Sequence, residues 1–197
     1  GAELYHQIKV WRHMCVDIHL IPTQKNVHRA ELYPEMVGQG VTVHEGYDWS
    51  AIPEGAPVIS FCNEEFLAAL PEIRKRTRKT VFVNCMTWLF GREQEAMKRG
   101  DISLFLYQND QVRESVMPRL RALNADPSIR FMTFKPYFDT TDFPFIVQRS
   151  TDWFGAGHIS RQDEDKFSKD TWHIYEHFAS PVRKRGTFLG FDQRSEA

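Results

Sequence analysis

A chain of 197 residues, 42% apolar, is long enough to bury a sizeable core, either as one large domain or as one domain and part of another. Its formal net charge of -1 argues against a dedicated nucleic-acid binder. No run approaches the roughly 18 apolar residues of a membrane-spanning helix, so a cytoplasmic protein without a membrane span is the expectation, with peripheral membrane association left open.

The first residues enter a helix at once, because Leu4, Ile8 and Trp11 recur at helical spacing. Cys15 to Ile21 reads as a strand, with β-branched Val16, Ile18 and Ile21, closed by Pro22. An α/β domain that opens on a helix has a parallel sheet short of one strand, normally the central one. Asn26 to Met36 allows a helix broken or kinked at Pro34, and Val41 to His44 a short strand. Gly46 to Pro57 is a loop. Val58 to Phe61 is a buried strand, and Asn63 can cap a helix whose apolar face is Phe66, Leu67, Leu70 and Ile73.

The basic run Arg74 to Lys79 closes that helix, where the dipole favours cations, and reads as a solvated face before it reads as a nucleic-acid contact. Thr80 to Val83 is the next strand. It leads into Asn84-Cys85-Met86-Thr87-Trp88, a polar and aromatic loop at the carboxyl end of a strand, where open α/β sheets bind ligands. Asn84 and Trp88 are therefore candidate ligand contacts, Trp88 through its aromatic face. Glu93, Glu95, Lys98 and Arg99 mark a helix with exposed charges. Ile102 to Tyr107 is a strand, Asn109 or Asp110 caps a helix to about Ala122 with a kink expected at Pro118, and Ile129 to Phe134 is a further strand. Helix and strand in repeated alternation predict a doubly wound parallel sheet with right-handed crossovers.

Pro136 to Pro144, rich in proline and polar residues, reads as a linker. A second unit follows: a strand at Trp153-Phe154, a Gly155-Ala156-Gly157 turn, a polar loop with His158, Arg161 and Lys166, a helix from Ser168 to Ala179, a basic turn Arg183-Lys184-Arg185, and a strand from Thr187 to Phe191. Strand, glycine turn and helix form the unit that α/β folds use to hold phosphate: glycines let backbone approach, the helix offers free N–H groups, and Arg161 and Lys166 add charge. A dinucleotide domain would need a third glycine where Ser160 stands.

Cys15, Cys62 and Cys85 are scattered without a CxxC pair, as expected of small apolar thiols in a reducing compartment. The histidines do not place three ligands on one face, and neither GxSxG nor HExxH occurs, so neither a metal centre nor a serine hydrolase is expected.

Gly157-His158-Ile159-Ser160-Arg161 through Lys166, with Trp172 following, resembles the opening of the donor-binding domain in GT-B glycosyltransferases of the nucleotide-sugar-dependent group 1 kind. Gly1-Ala2-Glu3 resembles the glycine-led start of the first helix of that family, and the Pro136 to Pro144 region resembles the end of its first domain. The resemblance implies an α/β chain with a Rossmann-like doubly wound N-terminal domain over 1–137 lacking its first strand, a linker over 138–151, and the incomplete start of a second Rossmann-like domain over 152–197. It implies a fragment, truncated at both ends and inactive alone. Its activity would be hexosyl transfer from a nucleotide-diphosphate sugar, such as a UDP or GDP sugar, to a sugar, lipid or protein acceptor. The diphosphate would be held by Gly157, His158, Arg161, Lys166, Gly1 and Ala2, and the acceptor side formed by Glu3, Asn84 and Trp88. In the family, cationic side chains grip the diphosphate, so no metal and no cofactor besides the donor co-substrate is implied. The alternative is a non-catalytic nucleotide-binding or partner-binding α/β module.

Overall fold

The structure, a computed structural model, describes residues 2–23, 27–29, 31–142, 152–159 and 169–189. The chain divides into two compact units, Gly1–Thr140 and Thr141–Ala197.

The first unit opens with α1 (Ala2–His13), whose Glu3 in the first turn and Arg12 and His13 in the last complement the helix dipole. Its end accounts for the late start of the strand expected from Cys15. Cys15 takes a left-handed backbone with φ 60°, its N–H reaches Arg12 O at 2.9 Å, and Val16 N–H reaches Trp11 O at 2.8 Å. That is a Schellman closure with cysteine where glycine usually stands. Cys15 and Val16 are used up in ending the helix, and β1 spans only His19–Leu20. Pro34 likewise sits in the first turn of α2 (Tyr33–Gly38), a position where its missing N–H has no intrahelical role. It starts the helix and does not kink one. β2 (Thr42–Val43) pairs with β1 in parallel, and Ile8, Ile18, Met36 and Val41 form a core of their own beneath the pair.

The larger sheet holds β3 (Val58–Phe61), β4 (Thr80–Asn84), β5 (Leu104–Tyr107) and β6 (Arg130–Thr133), all parallel and in sequential order. Between them run α3 (Glu64–Ile73), α4 (Gly91–Arg99) and α5 (Asp110–Ala122). Asn63 caps α3 by accepting hydrogen bonds from the N–H groups of Glu65 and Phe66 at 3.0 and 3.3 Å. α5 continues through Pro118. Sequential strands joined by right-handed crossovers carry their helices on one face, and one buried cluster accordingly combines Leu70 of α3, Met97 of α4 and Val116 of α5 with Phe82 and Phe105 of the sheet. Phe82, Phe105 and Phe131 occupy one register row. Their ring centroids lie 6.0 and 5.7 Å apart, and Phe66 of α3 stacks on Phe82 at 6.2 Å. Among the described residues no ladder joins β1 to β3. Their C-terminal ends are bridged by Asn63 Nδ2 donating to Thr23 Oγ1 at 2.9 Å.

In the second unit, β7 (Trp153–Ile159) and β8 (Arg183–Leu189) pair in parallel on either side of α6 (Thr171–His177). The strand runs straight through Gly155-Ala156-Gly157, which pair with Arg185, Gly186 and Thr187, so the expected glycine turn is absent. The basic turn is also strand: Lys184 donates to the carbonyls of Glu176 and Phe178 at the end of α6, and Arg185 lies over the Trp153 ring at 5.5 Å. Cations at a helix C-terminus and over an aromatic face are favoured. Trp172, Tyr175 and Phe178 do share a side, the first two against Phe188 at 4.6 and 4.7 Å and the third against Phe154 at 5.2 Å.

Because Phe82 is fully buried between two rings, Phe82→Ala should destabilise the first unit by about 3–5 kcal/mol in urea unfolding, the range for a truncated core aromatic.

Candidate functional site at the carboxyl edge of the sheet

The parallel register pairs Phe61 with Val83 and Asn84 with Tyr107, so β3, β4 and β5 end nearly level. The residues that follow, Cys62, Cys85 and Gln108, emerge along one edge. α1 begins there too. Glu3 Oε2 accepts a hydrogen bond from Gln108 Nε2 at 2.6 Å and lies 3.8 Å from Cys85 Sγ. Glu3 Oε1 and, one turn on, Gln7 Nε2 are buried with no hydrogen-bond partner among the described residues. Buried polar groups are nearly always satisfied, so these two atoms are candidates to meet a water or a ligand at this edge.

Beside this edge a cleft of about 550 Å³ opens between Thr23 and Tyr47 on one side and Phe61, Cys62, Asn63 and Glu64 on the other. Cys62 has a left-handed backbone with φ 44°, and its Sγ accepts the N–H of Cys85 at 2.7 Å. Hydrogen bonding from Cys85, its backbone N–H included, holds Cys62 below the ordinary thiol range, and the adjacent Cys62 sulfur, with burial and the Glu3 carboxylate, pushes Cys85 above it.

Asn84 does not face the cleft. It is fully buried, and its Nδ2 donates to both Glu93 carboxylate oxygens at 2.9 and 3.0 Å and to Trp88 O at 3.0 Å. Its Oδ1 accepts Met86 N–H at 2.6 Å. Asn84 thus shapes the loop that carries Trp88, which is 47% exposed. Glu93 is likewise no surface charge. It is fully buried, its Oε2 accepts Phe90 N–H at 3.0 Å at the start of α4, and desolvation raises its carboxyl to about 7 despite the hydrogen bonds from Asn84 and Phe90. The Tyr107 hydroxyl is buried without a partner among the described residues, and burial, aided by the charge of Glu93, pushes it upward.

Of the remaining candidates, Ala2 is the first residue of α1, while Gly157 and His158 lie within β7, paired with Thr187 and Phe188. Gly1, Arg161 and Lys166 lie outside the described residues. Parallel pairing also brings together two residues that sequence spacing kept apart: His19 and His44 stack, with Nδ1 and Nε2 2.8 Å apart, and His19 Nε2 lies 3.2 Å from Asp17. Only strand register could have revealed the cysteine and histidine pairs. Glu93, the third residue of α4, stands where the Glu of a capping box would, but Phe90 three residues before it is not the Ser or Thr that completes the signature.

The fold and this edge define a chain of the α/β class with parallel sheets. No family model matches it, and no curated protein or solved structure does.

Two outcomes follow from the buried pair. Unfolded, Glu93 releases its proton near 4.5, and folded near 7. The folded state therefore holds the extra proton between those values, and stability falls as pH rises through that window and levels above it. The fall is on the order of 3 kcal/mol. Glu93→Gln should flatten this part of a stability-against-pH curve measured by urea unfolding. Asn84→Ala, which strips Glu93 of its side-chain donor, should lose roughly 3 kcal/mol of stability at neutral pH.

Proposed function

We propose that the chain belongs to a machinery that transfers a sugar from a nucleotide-diphosphate donor, in the manner of GT-B glycosyltransferases. The observation that carries this reading is Glu3: a carboxylate at the carboxyl edge of a parallel sheet, anchored through Oε2 by Gln108 while its buried Oε1 has no partner among the described residues. Such an oxygen suits an acceptor hydroxyl, and ligands of open α/β sheets gather at this edge. Trp88, half exposed on the neighbouring loop, offers a face for a sugar ring.

In the reaction, the acceptor oxygen forms a bond to the anomeric carbon as the bond from that carbon to the diphosphate breaks. Negative charge builds on the departing phosphate oxygen. Arg161 and Lys166 are the cations we assign to that charge, with no metal required. The acceptor would be a sugar, lipid or protein, and the setting would be cytoplasmic. We assign to the first unit a doubly wound Rossmann-like sheet, a reading supported by its strands pairing in parallel with helices between them.

A second reading, a non-catalytic nucleotide-binding or partner-binding module, draws support from Asn84, whose side chain is wholly occupied in holding Glu93 and the Trp88 loop. Thermal-shift measurements separate the two classes of ligand. Stabilisation by a nucleoside diphosphate but not by NAD is expected. Arg161→Ala and Lys166→Ala should each weaken diphosphate binding by about 1.5–3 kcal/mol, the size of a charge-assisted hydrogen bond. Unchanged affinity in both variants would sink the donor assignment.

A further inference from the structure

Cys62 and Cys85 lie just past the ends of two adjacent parallel strands. Neighbouring strands run about 4.8 Å apart with a rise of about 3.3 Å per residue, so positions offset by one across the ladder have Cα atoms roughly 6 Å apart, within the range a disulfide spans. Cys62 stands level with Asn84, since Phe61 pairs with Val83, and Cys85 is one residue further. In a regular pleat that offset would send the two side chains to opposite faces. The left-handed φ of 44° at Cys62 breaks the pleat there. It lets the Cys62 sulfur turn over the backbone of Cys85, whose N–H it accepts at 2.7 Å.

We propose that Cys62 and Cys85 are a redox-active thiol pair, in which a hydroperoxide oxidises Cys62 and Cys85 then closes an intramolecular disulfide. The division of roles follows from their surroundings. Cys62 Sγ receives the backbone N–H of Cys85, which favours its thiolate, the nucleophilic form. The Cys85 thiol faces the Glu3 carboxylate, toward which it donates at 3.8 Å, and keeps its proton beside that negative charge. Cys62 also lines the open cleft, which gives a small oxidant access to its sulfur.

The chemistry balances without further reagents. The Cys62 sulfur attacks one peroxide oxygen, the O–O bond breaks, and with a hydroperoxide such as hydrogen peroxide one water leaves, giving a sulfenic acid. The Cys85 sulfur then attacks the Cys62 sulfur. The S–S bond forms, the S–O bond breaks, and the Cys85 proton leaves with the hydroxyl as a second water. Two thiols lose two electrons, and the peroxide gains them. Closure ties the ends of β3 and β4 together and takes the Cys85 thiol away from Glu3, so the state of the pair is written into the carboxyl edge. None of this depends on what that edge binds.

The test uses the full reduced chain treated with hydrogen peroxide, quenched with an alkylating agent and mapped by mass spectrometry without reduction. A cross-linked peptide joining Cys62 to Cys85, lighter by two hydrogen atoms and restored by dithiothreitol, is expected. Cys62 should lose its alkylatable thiol about tenfold faster than the exposed Cys15. In Cys85→Ser, a sulfenic acid at Cys62 should be captured by dimedone. The proposal is overturned if Cys62 in the wild-type chain oxidises no faster than Cys15, or if the linkage that forms runs through Cys15. Should Cys85→Ser fail to fold, the wild-type map decides alone.

Discussion

The level register of the four-stranded sheet is the constraint on which the first unit depends. Each of β3 to β6 pairs residue for residue with its neighbour, so the Phe82, Phe105 and Phe131 rings fall into one row that α3, α4 and α5 cover. A slip of one residue would turn that row to the opposite face and expose it. The same register decides where the chain leaves the sheet. Cys62, Cys85 and Gln108, distant in sequence, arrive along one edge because the strands preceding them stop together, and α1 delivers Glu3 to the same place.

That edge divides its polar groups into two sets. On the side of α4, Asn84 and Glu93 satisfy each other and hold the Trp88 loop, at the expense of a buried carboxyl whose ionisation is suppressed by lost solvation. On the side of α1, Glu3 Oε1 and Gln7 Nε2 are buried without a partner among the described residues, and Cys62 Sγ accepts the N–H of Cys85. In the second unit, among the described residues, Lys184 closes the end of α6, Arg185 covers Trp153, and the Trp172 and Tyr175 rings rest on Phe188.

Much of the fold was legible residue by residue where one local signal dominated. Asn63 before an apolar face of Phe66, Leu67, Leu70 and Ile73 meant a capped helix, and Val58 to Phe61 meant a strand, and the structure holds both. The departures arise where a local signal had two outcomes. Cys15 and Val16 favour a strand by side chain, yet the backbone groups at the end of α1 needed partners and took them. Gly155 and Gly157 allow a turn, but strand pairing with β8 supplied a competing set of hydrogen bonds. Glu93 has the charge of a surface residue and the position of a capping one, and the second prevailed because Asn84 and Phe90 N–H were there to receive it.

Periodicity and capping residues determined by themselves that this is an α/β chain of alternating helices and strands, and that the helix after Asn63 has one apolar face. Both depend on neighbours a few residues away, and the sequence contains those directly. Which polar side chains meet at the carboxyl edge, whether Glu93 is buried, and that Cys62 touches Cys85 were decided only by the tertiary structure. Those contacts cross between strands, and strand register is set by the packing of the whole sheet and not by any single segment.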